Sequence, residues 1–115
     1  MDKQETHYFY VLLCADTSLY AGYTNRLIQR IETHNAGKGA KYTRVRHRRP
    51  VRLVYAERFN QKSSAMRQEY RFKQFSRAEK IQYMKSQGLV SVYSGQCVIV
   101  KGREDLQDAD STELQ

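Results

Sequence analysis

The sequence predicts a small α/β domain: a central, mainly antiparallel three-stranded sheet flanked by three helices. Three observations carry that expectation. Two runs of strand formers meet across turn residues near the N-terminus, three later stretches place apolar residues at helical spacing, and 115 residues suffice for one buried core but not for two.

Tyr8-Phe9-Tyr10-Val11-Leu12-Leu13-Cys14 is an unbroken apolar and aromatic run, too short for an ordinary helix, so residues 8–14 are read as the central strand. Ala15-Asp16-Thr17-Ser18 is turn chemistry, and residues 18–23 return as a second strand of an antiparallel hairpin, which Gly22 is expected to end or bulge. Thr24-Asn25 offers a cap for a helix over residues 26–36, with Leu27, Ile28 and Ile31 as its apolar stripe and Gly37 or Gly39 as its stop. Arg26, Arg30 and His34, four residues apart, share one line of that helix. Pro50 closes the next loop before a third strand over residues 51–58, with Val51, Leu53 and Tyr55 on one face. Ser63 or Ser64 can cap a helix over residues 63–75 that turns Ala65, Met66, Tyr70 and Phe72 inward, with Glu69 in the middle of that side. Ser76-Arg77-Ala78-Glu79 has the capping-box form for a last helix over residues 77–87, with Ile81 and Met84 inward. The domain is thus placed at residues 7–88. An extension over residues 89–101 follows, in which 96–101 can form an edge strand, and then an acidic tail over residues 102–115, read as disordered.

Charge narrows the class of function. Twenty Lys and Arg against twelve Asp and Glu give a net +8 and an isoelectric point near 9.7. Residues 1–101 hold 19 basic and 7 acidic side chains, whereas residues 102–115 hold one and five. So basic a body suits a polyanionic partner. Two cysteines, Cys14 and Cys97, and three histidines are too few and too scattered for a structural zinc site or a disulfide framework, and a reduced, cytoplasmic setting is expected. No run reaches the roughly 18 apolar residues of a membrane helix. The polar opening has no apolar signal core, so neither secretion nor membrane insertion is expected.

The densest basic stretch is residues 38–52, where seven Lys or Arg and His47 occur with no acid between Glu32 and Glu57. Interleaved with Tyr42 and a Gly-Lys-Gly, it reads as a surface for a phosphate backbone with base stacking. Lys38, Lys41, Tyr42, Arg44, Arg46 and Arg48 are its candidate nucleic-acid-binding residues, and Tyr23 and Asn35 are assigned substrate contact beside them. Contacts of this kind position a backbone without reading its bases.

Tyr8-Phe9-Tyr10 and Tyr20-Ala21-Gly22 are aromatic triplets on neighbouring strands, followed by Arg30, by His34 one turn later, and by Glu69 on an apolar helix face. In this order and spacing the chain resembles the GIY-YIG nuclease superfamily over about residues 7–85. Both triplets are degenerate: Tyr8 and Phe9 stand for the Gly and Ile of the first, and Ala21 for the Ile of the second. Arg30 takes the place of the family's helix arginine, His34 that of a residue that is His or Tyr in many members, and Glu69 that of the metal-binding glutamate. The wording His34-Asn35-Ala36-Gly37-Lys38-Gly39-Ala40-Lys41-Tyr42-Thr43 resembles most the small single-domain bacterial members, related to the nuclease subunit of structure-specific resolvases. Lys73 stands where a Gln often follows the glutamate in the resolvase-type relatives, and no role is carried onto it.

The resemblance implies a divalent-metal-dependent DNA endonuclease, a phosphodiester hydrolase of DNA repair, with Tyr10, Tyr20, Arg30, His34 and Glu69 as its catalytic residues. In that scheme Mg²⁺ or Mn²⁺ on Glu69 assists the departing 3′ oxygen, Tyr20 or Tyr10 takes the proton of water, and Arg30 stabilises the phosphorane. The chemistry of these residues agrees, provided that positive charge lowers a tyrosine pKa from about 10, and an octahedral Mg²⁺ needs only one or two carboxylates. His34 can serve as a second base, a water-positioning group or a phosphate ligand, or make a structural hydrogen bond. The implied partners are DNA, held by its phosphates, and a protein that targets the nuclease. Two other readings fit the charge: a non-catalytic nucleic-acid-binding module on the same fold, and an RNA- or ribosome-associated basic protein.

Overall fold

The computed structural model describes residues 5–104. Its strands are β1 (His7–Leu13), β2 (Leu19–Thr24), β3 (Arg52–Phe59) and β4 (Val98–Lys101), and its helices α1 (Leu27–Asn35), α2 (Lys41–Arg44), α3 (Lys62–Lys73) and α4 (Arg77–Ser86), with a 3₁₀ turn at Arg46–Arg48. The sheet runs in the order β2-β1-β3-β4. β1 pairs antiparallel with both β2 and β3, and β4 lies parallel to β3. The α/β class stands, but three strands and three helices are corrected to a mixed sheet of four strands with four helices among the described residues. The additions are short. β4 has four residues, none fully buried, and α2 is a single turn that buries only Thr43, so neither leaves a periodic signal. The acidic-tail reading of residues 102–115 lies, from residue 105 on, outside the described residues. No helix among the described residues is long and apolar enough to cross a membrane.

Both faces of the central strand are covered, which is why it reads as one apolar run without alternation. Phe9, Val11, Ala21 and Tyr55 pack with Ala65 and Phe72 of α3 and Met84 of α4, joined by Leu89 and Val92 from the connection beyond α4. Tyr10, Leu12, Cys14, Val51 and Ala56 pack on the other side with Leu27 and Ile31 of α1. A register shift between Val11 and Leu12 leaves Val54 as an extra residue on β3. That bulge separates Tyr55 from Val51 and Leu53, which simple alternation places together.

Local chemistry differs from expectation at several ends. Gly22 neither ends nor bulges β2, which continues to Thr24 in register with β1. The Thr24 hydroxyl accepts from the Arg26 amide at 3.0 Å, and α1 starts one residue later. α3 begins at Lys62, so Ser64 lies inside the helix and is buried instead of capping it. The capping box of α4 forms, with Glu79 N donating to Ser76 Oγ and Ser76 N to Glu79 Oε1. Ile28, Met66 and Tyr70, expected to face inward, are exposed, because α1 and α3 each bury a narrower stripe than the apolar composition suggests.

Candidate functional site

β1, β2, α1 and α3 bring Tyr10, Tyr20, Arg30, His34 and Glu69 to one cluster. Tyr10 is fully buried, and the room for its phenol comes from Gly22 opposite it: a Cβ at that position would stand 2.5 Å from the Tyr10 hydroxyl oxygen. The hydroxyl lies 2.8 Å from His34 Nε2, while His34 Nδ1 lies 2.6 Å from Thr43 Oγ1 of α2, which itself donates to the Ala40 carbonyl at 3.2 Å. Thr43 has one proton and spends it on Ala40, so it accepts from His34 Nδ1–H. Nε2 is then the acceptor and takes the Tyr10 proton. One directed chain results, from Tyr10 through His34 and Thr43 to Ala40.

The titration of the two rings fits that direction. Burial outweighs the lowering effect of Arg30 and pushes Tyr10 up to about 12, while burial and then the Arg30 charge pull His34 down to about 4. Both rings are neutral near pH 7. Arg30 Nε donates to the Tyr10 hydroxyl at 3.4 Å. The expectation that Arg30 draws a tyrosine toward its phenolate is thus reversed for Tyr10, because a ring with no exposed surface loses more solvation as an anion than one guanidinium returns. Gly39 presses on His34 from the other side, where a Cβ would stand 2.5 Å from Nδ1. The two glycines of the site therefore serve close packing.

Tyr20 is half-buried and joins this chain to the basic stretch. Its ring meets His34 edge-on at 5.3 Å and stacks on Tyr42 at 5.9 Å and 20°. The Arg48 guanidinium lies 3.8 Å from the Tyr42 ring centroid, donates to the Tyr42 carbonyl and pairs with Asp16 Oδ2 at 3.2 Å. Residues 41–48 are consequently a folded segment docked on the site. Lys41, Arg44 and Arg46 stand exposed on it and Lys38 on the connection just before it, whereas Arg48 is spent on its internal contacts. Asn35 clamps the end of α1 to the start of β3, its Oδ1 accepting from Val51 N at 2.6 Å and its Nδ2 donating to Val51 O. Tyr23 lies on the opposite face of the sheet, stacked on His7 and bonded to it at 2.7 Å.

Glu69 reaches the cluster from α3, and its Oε2 is 3.0 Å from the Lys73 ammonium one turn on. The same ammonium lies 5.8 Å from the Tyr20 ring centroid. As a place for Mg²⁺ or Mn²⁺ this donor set does not fit as it stands, not because one carboxylate is too few but because that carboxylate is held by the Lys73 ammonium. Among the described residues no group of three or more His, Cys, Asp or Glu gathers to hold a metal ion.

A second polar cluster is not legible in the sequence patterns. Glu57 of β3, 3% exposed, accepts at Oε2 from Tyr55 (2.5 Å), Tyr83 (2.6 Å) and Gln68 (3.4 Å). Burial, then bonding to the carboxylate, holds both phenols firmly protonated. Glu57 forms part of the wall of a cavity of about 520 Å³ with Phe59, Phe72 and Phe75. The one signal for it is a lone acid inside an apolar strand, ending the acid-free run.

The tyrosine hairpin, the arginine helix packed on it and the glutamate helix define a domain of the GIY-YIG type. Residues 6–82 match the model of the GIY-YIG catalytic domain, and the chain belongs to that family. It is 63% identical over 78 residues to a UPF0213 protein of Lactiplantibacillus plantarum, covering 68% of this chain and 77% of that one. It is 61% identical over 82 residues to a UPF0213 protein of Bacillus velezensis, covering 71% and 81%. Among solved structures it is similar to the solution NMR structure of an E. faecalis protein, at 48% identity and a TM-score of 0.52, covering 75% of this chain and 90% of that one.

These findings correct the functional expectation. The two relatives from Lactiplantibacillus plantarum and Bacillus velezensis carry the UPF0213 family number and no nuclease name, and the site lacks a gathered metal-ligand set among the described residues. The metal-dependent DNA endonuclease, the phosphodiester hydrolase and the DNA-repair role are therefore withdrawn. The physical reason is local: Tyr10 is a protonated donor, the His34 lone pair is occupied by it, and Glu69 is paired with Lys73.

Proposed function

We propose that this chain is a non-catalytic nucleic-acid-binding module, which uses the GIY-YIG scaffold to hold a phosphate backbone on the segment between α1 and β3. One observation carries the reading. Lys41, Arg44 and Arg46, with Lys38 just before them, project from a short folded segment that is anchored, through the Tyr42–Tyr20 stack, to the neutral Tyr10–His34–Thr43 chain. Exposed cations on a fixed support suit backbone contact, because less side-chain and loop freedom is lost on binding. The aromatic pair beside them offers a stacking surface for an unpaired base. Kinship with the nuclease subunit of structure-specific resolvases, read as kinship of scaffold, belongs to this proposal, as do a cytoplasmic setting and a protein partner that targets the module.

The test is binding of labelled single-stranded DNA, duplex DNA and RNA across a salt series. Lys41→Gln/Arg44→Gln should weaken binding to every sequence alike and reduce the slope of log affinity against log salt by about 0.7–0.9 for each phosphate interaction removed. No strand cleavage should accompany binding with Mg²⁺ or Mn²⁺ present. Unchanged affinity and slope in the double variant would end the reading.

A further inference from the structure

Lys73 is a cation of the tyrosine cluster to which the sequence assigns no role. Its position is set by α3: four residues beyond Glu69 it lies on the same helix face, and its ammonium reaches both the Glu69 carboxylate at 3.0 Å and the Tyr20 ring at 5.8 Å. Arg30 reaches the neighbouring ring, with Nε 3.4 Å from the Tyr10 hydroxyl, and the Tyr10 and Tyr20 rings are 6.4 Å apart. Two cations thus converge on one tyrosine pair from α1 and α3. Lys73 is also half-exposed, and one of its three N–H donors suffices for Glu69, which is largely buried and neutralised by it. A dication seeking Glu69 must displace this ammonium and then sit among two positive groups with one carboxylate to hold it.

We propose that Lys73 is the resident cation of the site: with Arg30 it forms a phosphate subsite beside Tyr20 that operates without a divalent metal. This rests on the nucleic-acid-binding reading and deepens it, by naming a backbone phosphate as the ligand of the tyrosine cluster itself. Glu69 then serves to position the ammonium, not to ligate a metal.

Three measurements on the full chain test this. A short fluorescent DNA single strand should bind at least as tightly in EDTA as in millimolar Mg²⁺, since free Mg²⁺ only competes for phosphates. Lys73→Gln should reduce the salt slope by about 0.7, so that affinity falls about threefold less between 50 and 200 mM salt, whereas Lys73→Arg should restore the slope. Mn²⁺ alone, followed by its paramagnetic resonance signal, should bind Lys73→Gln more tightly than the parent, and the added Glu69→Gln change should remove that gain. Thermal melts of the variants, compared with the parent, identify any loss that comes from unfolding. Parent-like affinity and slope in folded Lys73→Gln overturn the inference, as does binding by the parent that requires Mg²⁺ and is lost in Glu69→Gln. If Lys41→Gln/Arg44→Gln still lowers the slope in that case, the module reading survives without the subsite. If no variant moves it, both fall.

Discussion

The Tyr10 hydroxyl donates its proton to His34 Nε2 across 2.8 Å, joining the central strand to the arginine helix inside the core. Both rings are held neutral by burial, and the proton order continues through Thr43 to a backbone carbonyl. The pair thereby fixes how the basic segment docks, because Thr43 is the buried residue of α2.

Gly22→Ala should destabilise the fold by about 1–3 kcal/mol, since the new methyl collides with the Tyr10 hydroxyl in a filled core. For a domain of this size that is a fall in Tm of about 4–8 °C per kcal/mol. Adding Tyr10→Phe removes the nearest colliding atom and frees the ring to shift its Cζ, which would stand 2.6 Å from the methyl, so the double variant should lose less than the two single losses combined. Simple additivity in the melts would show that this collision does not govern Gly22.

Acid should weaken the fold through His34. Its folded-state pKa, about 4, lies below the ordinary value of 6.5, so between these pH values the unfolded chain carries the proton and the folded chain does not. Stability from this group is complete above about pH 6.5 and falls as pH drops toward 4, by on the order of 3 kcal/mol. Urea titrations across that window should show the slope in the parent and lack it in His34→Gln. Parallel pH profiles would remove His34 as the source.

Arg48 should be structural where its neighbours are not. Arg48→Lys keeps the charge but loses the planar stack on Tyr42 and the fixed geometry to Asp16, so it should loosen residues 41–48, seen as faster amide exchange there. Arg46→Lys, at an exposed position, should leave exchange and affinity close to the parent's. Equal exchange in the two variants would contradict the assignment.

Glu57→Gln should cost about 2 kcal/mol, because two phenols and an amide converge on one carboxylate oxygen in a nearly closed site. Nucleic-acid affinity should stay at the parent value, since Glu57 lies away from the basic segment. A denaturant midpoint that does not shift would show that a neutral amide oxygen accepts the two phenols as well as the carboxylate does.

Much of the molecule was legible in the linear sequence by itself. The tyrosine hairpin, α1 with Arg30 and His34 one turn apart, the α4 capping box and the acid-free run all follow from local patterns with a fixed period. Tertiary structure alone decided the rest, because it depends on contacts between residues far apart in the chain. Gly22 has the look of a strand breaker until Tyr10 fills the space above it, and residues 41–48 have that of an open loop until Thr43 meets His34 and Arg48 covers Tyr42. Chemistry changed in the same way. Tyr10 carries the same hydroxyl in any fold, but whether it gives or keeps its proton depends on burial, whereas the Glu69–Lys73 pair, one turn apart on α3, is a local pattern and belongs with what the sequence makes legible.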